Sequence, residues 1–91
     1  MTASAVGADE LLAAAGLGDR AAFGAFYDRT VSFIYPLLHC GLGDTRRACE
    51  ATERVYSGLW RAAPRFRPRS ECAYGLLLAA TRREITAATT A

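Results

Sequence analysis

Lysine is missing altogether, so the eleven cationic side chains among these 91 residues are all arginine. Positive charge is therefore offered only as a planar fork that pairs bidentately and stacks. Charge as a whole is thin, at 22% of residues with a net of +2, so any pull on an anionic partner must come from local clustering. Long apolar runs are absent too. The longest uncharged stretch, Thr30 to Gly43, falls short of the roughly 20 residues a bilayer span needs and contains Pro36 and His39. That excludes a transmembrane helix and a membrane partner. The N-terminus also lacks the basic and apolar regions of a secretory signal, which points away from export.

Cysteine is scarce and poorly spaced. Cys40, Cys49 and Cys72 cannot all pair and fit no disulfide framework, so free thiols in a reducing cytoplasm are expected. Zinc sites present ligand pairs a few residues apart, whereas the only histidine, His39, adjoins Cys40 and is followed by gaps of nine and twenty-three. The thiols read as small core side chains, and His39, late in a helix, as a cap for carbonyls. There is no glycine-rich phosphate loop, no nucleophile elbow and no carboxylate pair beside a base. An enzyme is not expected, nor a metal, nor any other cofactor.

What is present is helical punctuation. With 52% hydrophobic residues the chain is a small globular domain, and no segment alternates with period two. Asp9 reads as the cap of a first helix to Leu17, closed by Gly16 and Gly18. Asp19 caps a second, Arg20 to about Cys40. Its apolar arc holds Phe23, Phe26, Tyr27, Thr30, Val31, Ile34, Leu37 and Leu38, with Arg29, Ser32 and Pro36 opposite. Gly41 and Gly43 end it, and Asp44 caps a third helix to about Ala63, with Ala48, Ala51, Thr52, Val55 and Leu59 inward. Ser70 caps a fourth, Glu71 to about Ile85. The expected architecture is all-α, a compact bundle of four helices over residues 9–86, with an N-terminal arm at 1–8 and a tail at 87–91.

Two patterns stand out. Residues 61–69 hold four arginines (Arg61, Arg65, Arg67, Arg69), two prolines and Phe66. Pro64 and Pro68 disfavour a helix, so the stretch reads as a stiffened loop suited to a phosphate backbone with unstacked bases. A solvated inter-helix loop is the plainer alternative. On the third helix, Cys49, Glu53, Tyr56 and Trp60 follow one another at steps of four, three and four, with Glu50 close by. Such an acidic-aromatic edge suits a basic partner helix. The alternative places Tyr56 and Trp60 at the core margin and makes Glu50 and Arg54 an ordinary surface pair.

The order of these features resembles the region 2 domain of extracytoplasmic-function sigma factors. Gly18-Asp19-Arg20-Ala21-Ala22-Phe23 with Phe26-Tyr27-Asp28-Arg29 is similar to that family's opening helix pair. Leu42-Gly43-Asp44 resembles the turn before the polymerase-binding helix, Ala48 to Arg61 the helix itself, and Arg65-Phe66-Arg67-Pro68 with Leu76-Leu77 the loop and last helix. The likeness covers about residues 9–86. It implies a cytoplasmic sigma region 2-like protein of bacterial transcription, whose partners are the RNA polymerase β′ clamp, single-stranded −10 promoter DNA and an anti-sigma factor. Carried over, Glu50, Glu53, Arg54 and Tyr56 face the polymerase. Arg61, Arg65, Phe66, Arg67 and Arg69 of the loop, with Tyr74 and Arg82 of the fourth helix, face DNA.

The chain departs from the family at several places. The usual Ala-Glu-Asp stands as Ala48-Cys49-Glu50, and a Gln-Glu pair as Glu53-Arg54. A tryptophan early in the fourth helix is replaced by Gly75, beside Tyr74, and Ala-Arg-Asn reads Ala80-Thr81-Arg82. These differences support a second reading: a protein-interaction module with the sigma fold that binds polymerase, an anti-sigma factor or another transcription factor without reading a promoter. No second domain follows to read a −35 element, which leaves an excised piece and a stand-alone relative both open.

Overall fold

A computed structural model describes residues 7–90. Aspartates and glycines set the helix ends. Helix α1 (Ala8–Gly16) closes at Gly18, whose φ of 97° is a left-handed conformation that glycine adopts without strain. Helix α2 (Arg20–Leu42) opens on Asp19, whose carboxylate accepts the Ala22 N–H at 3.0 Å, and ends at Gly43 with φ 71°. Helix α3 (Thr45–Ala62) opens on Asp44, which accepts the Arg47 N–H at 2.8 Å. A single 3-10 turn, Ala63–Arg65, and an irregular stretch lead to α4 (Ala73–Thr90). Among the described residues there is no strand, and no helix is long and apolar enough to cross a membrane.

Several expected boundaries move. Asp9 does not cap its own helix; the Gly7 N–H donates to Glu10 Oε1 at 2.8 Å instead, and Ala8 is already buried inside α1. Residues 1–6 of the expected arm lie outside the described residues. Ser70 does not cap α4, which starts at Ala73; the Ser70 N–H donates to the Arg67 carbonyl, and the Ala73 N–H donates to Asp9 Oδ1 at 2.7 Å. Gly41 lies within α2, where a Cβ would come 2.7 Å from Ile85 Cδ1, so its role is close approach to α4. Helix α4 continues past Ile85 to Thr90.

The core runs along α2. Phe26, Thr30, Ile34 and Leu38, four residues apart, are fully buried. They meet Ala48, Ala51, Val55 and Leu59 of α3, Ala73 and Leu77 of α4, and Leu12 of α1. Three threonines share this interior, and each hydroxyl donates to the carbonyl one turn back: Thr30 to Phe26, Thr52 to Ala48 and Thr81 to Leu77. The bond removes the cost of a buried hydroxyl, so threonine serves here as an apolar residue. The cysteines also depart from the sequence reading. All three are free and exposed, not packed inside.

Contacts fix the helix directions. Phe23 lies against Trp60 while His39 meets Thr45, so α2 and α3 are antiparallel. Phe33 neighbours Tyr74, and Gly41 faces Ile85, so α2 and α4 run the same way. Helix α1 lies at the bundle end where α3 gives way to α4, with Gly16 against Ala63 and Asp9 against Ala73.

Candidate functional site

Antiparallel packing of α2 on α3 leaves an open groove of about 840 Å³ on the outer side of the pair. Its α2 wall is Phe23, Tyr27, Val31 and Tyr35, and its α3 wall is Cys49, Thr52, Glu53, Tyr56, Ser57, Trp60 and Arg61. The apolar arc of α2 is wider than α3 can cover, so Tyr27 stays 39% exposed beside the buried Phe26. Rings meet edge to face across the floor. Phe23 and Trp60 have centroids 5.3 Å apart, and Tyr27 and Tyr56 4.8 Å, a geometry that aromatic quadrupoles favour.

The expected edge of Cys49, Glu53, Tyr56 and Trp60 thus forms one wall of a real groove. Glu53 is exposed on it and, among the described residues, makes no ion pair. Tyr56 is only 4% exposed, and its phenol shares a 2.6 Å hydrogen bond with Thr30 Oγ1. The Thr30 hydroxyl proton is directed to the Phe26 carbonyl, so Tyr56 donates. Burial raises the Tyr56 phenol above its ordinary value.

Glu50 and Arg54 leave this wall. They face α4, where the Arg54 guanidinium donates twice to Glu84 Oε1 at 3.0 and 2.9 Å. That bond raises the Arg54 pKa above its ordinary value. Glu50 pairs with Arg46 at 3.4 Å, so the expected Glu50–Arg54 surface pair gives way to these two partnerships. His39 caps no carbonyl with its ring; its Nε2 meets Thr45 Oγ1 at 3.2 Å. Among the described residues, no three His, Cys, Asp or Glu side chains gather for a metal.

The second surface is the arginine turn. Pro64 sits inside the 3-10 turn, where its fixed φ is tolerated, and Phe66 follows in an extended conformation. Arg65, Arg67 and Arg69 are exposed, and no ion pair engages them among the described residues. Phe66 corrects the expectation. It is 8% exposed and packs into the core, because an extended residue between two outward arginines points the other way. Arg61 belongs to the end of the groove instead.

Tyr74, 37% exposed, stands beside Phe33 of α2 with centroids 6.1 Å apart. Leu37 and Leu78 extend this ridge at 44% and 41% exposure, and Arg82 is exposed further along α4 with Arg83. Phe33 was missed by the sequence reading. Its signal was its place one turn before Leu37, a residue expected inward that is 44% exposed beside it at the margin of the apolar arc.

The described residues form a helical bundle with an aromatic groove on one side and a cationic turn at one end. The chain is similar to proteins named ECF RNA polymerase sigma factor SigK from Mycobacterium tuberculosis (strain H37Rv) and Mycobacterium bovis (strain BCG / Pasteur 1173P2), at 41% identity over 58 residues. That match covers 64% of this chain and 31% of the relatives' length, and it supports a sigma-factor-like region. No family model matches, and no solved structure matches.

Proposed function

We propose that this chain is a sigma region 2-like domain that takes part in bacterial transcription initiation in the cytoplasm, by binding and without a covalent step. The observation that carries the reading is the 41% identity to SigK proteins over 58 residues, in a chain whose helices carry both a groove and a cationic turn. The α2–α3 groove takes a helix of the RNA polymerase β′ clamp. Trp60, Tyr27 and Phe23 supply its apolar contact, and Glu53 meets a basic side chain. Arg65, Arg67 and Arg69 follow the phosphates of single-stranded −10 DNA, and Tyr74 with Phe33 offers bases a stacking surface.

A salt titration tests the DNA half. If three arginines each neutralise a phosphate, log affinity for a −10 single-stranded oligonucleotide falls against log salt with a slope of roughly −2. Replacing Arg65, Arg67 and Arg69 together by alanine flattens that slope. A wild-type slope near zero rules out DNA binding by the turn.

The burial of Phe66 and the commitment of Arg54 to Glu84 favour a second reading, a sigma-fold interaction module that no longer reads promoters. Capture of RNA polymerase or an anti-sigma factor without oligonucleotide binding selects it.

A further inference from the structure

Two acids border the arginine turn, and both are engaged by backbone amides. Asp9 Oδ1 accepts the Ala73 N–H at 2.7 Å in a part-buried contact across 64 positions of chain. Glu71 Oε1 accepts the Arg67 N–H at 2.8 Å. Neither forms an ion pair with Arg65, Arg67 or Arg69, although carboxylates pair readily with guanidinium groups. On the other side of the turn, Gly16 lies so close that a Cβ would overlap the Ala63 carbonyl and come 3.1 Å from Pro64 Cα. Between these two points Phe66 is buried in the core.

The turn is therefore held on both sides by α1, and at its centre by one ring. Ala73 N–H is a first-turn donor with no partner inside its helix, and a carboxylate there also suits the helix dipole. We infer that α1 is a clamp on the arginine turn and that Asp9 is its positioning residue. The clamp fixes the backbone while leaving the guanidinium groups without a carboxylate partner, so they meet an anion already arranged. A pre-arranged loop loses less freedom on binding, which raises affinity without a new contact. This inference rests on the DNA-facing reading of the turn, but the clamp itself has a readout independent of DNA.

The test compares the intact chain with Asp9→Ala and Asp9→Asn, by residue-resolved amide exchange and by binding of a −10 single-stranded oligonucleotide. Both variants remove the same charge, but asparagine retains an oxygen that can accept the Ala73 N–H. In Asp9→Ala, amides of residues 66–76 exchange about fivefold faster, the factor a lost helix cap of ordinary strength produces, while Phe26 to Leu38 is unchanged. Oligonucleotide affinity falls about three- to tenfold in the alanine variant and stays near wild type in the asparagine one. The inference is overturned if the turn exchanges as in wild type, if α2 loosens equally, or if affinity survives a loosened turn. A wild-type chain that binds no oligonucleotide defeats the DNA half of the proposed function, and the exchange maps alone then decide the clamp.

Discussion

Thr30 and Tyr56 join α2 to α3 through one buried hydrogen bond of 2.6 Å. Phenylalanine at position 56 keeps the ring contacts with Tyr27, Phe26 and Phe23 and removes only the donor. Tyr56→Phe should cost about 1 kcal/mol in chemical denaturation, the usual net worth of such a bond. Burial favours the protonated phenol, so its contribution to stability is complete below the ordinary value of 10.0 and is lost as pH rises through the raised one. Stability measured above pH 10 should fall more steeply in wild type than in Tyr56→Phe. Spacing alone placed Tyr56 on the correct edge of its helix. Its burial agrees with the alternative that put it at the core margin, but its partner was not legible, because the group that satisfies the phenol lies 26 positions away. Phe66 was misread for a related reason: the arginines around it announce exposure, and only the extended backbone reverses its direction.

At the scale of the element, glycines separate into those that allow contact and those that merely loosen a helix. Gly16 belongs to the first kind, since its neighbour is the Ala63 backbone, which cannot swing aside. Gly16→Ala should destabilise the fold by about 1–3 kcal/mol, as overpacking commonly does. Gly24, inside α2, has nothing within 4 Å of the place a Cβ would occupy. Gly24→Ala should stabilise by up to about 1 kcal/mol. Thermal melts of the two variants should move in opposite directions, by about 4–8 °C per kcal/mol in a domain of this size. The helices themselves were readable from local signals, because Asp19, Asp44 and Gly43 act within one turn of where they stand. Asp9 and Ser70 misled for the complementary reason. The donor at the start of α4 is satisfied by a residue from the opposite end of the chain, which no local pattern reveals.

Across the whole molecule, α3 belongs to both surfaces: Cys49, Glu53, Tyr56, Trp60 and Arg61 line the groove, and the helix then leads directly into the turn. The two surfaces are chemically distinct and should separate by mutation. If the groove takes a basic helix as proposed, Glu53→Arg places a like charge before it, and capture of RNA polymerase should weaken about tenfold in a pull-down titration. Oligonucleotide affinity should hold. If instead polymerase capture persists and oligonucleotide binding disappears, the assignment of surfaces is reversed. The all-α bundle, the groove edge on α3 and the exposure of Arg65, Arg67 and Arg69 were legible in the sequence, since each follows from periodicity or proline placement. The Phe33–Tyr74 ridge and the split of Glu50 and Arg54 from Glu53 were not, because each depends on how α4 sits against its neighbours.

An all-guanidinium turn has a regulatory consequence. Acetyl transfer, which neutralises lysine amines, has no substrate here, and no physiological acidity or alkalinity discharges an arginine. Methylation would leave the charge in place. The positive charge of these side chains is therefore permanent, and it can be masked by covering them or by placing negative charge beside them, as phosphorylation of the exposed Ser70 would.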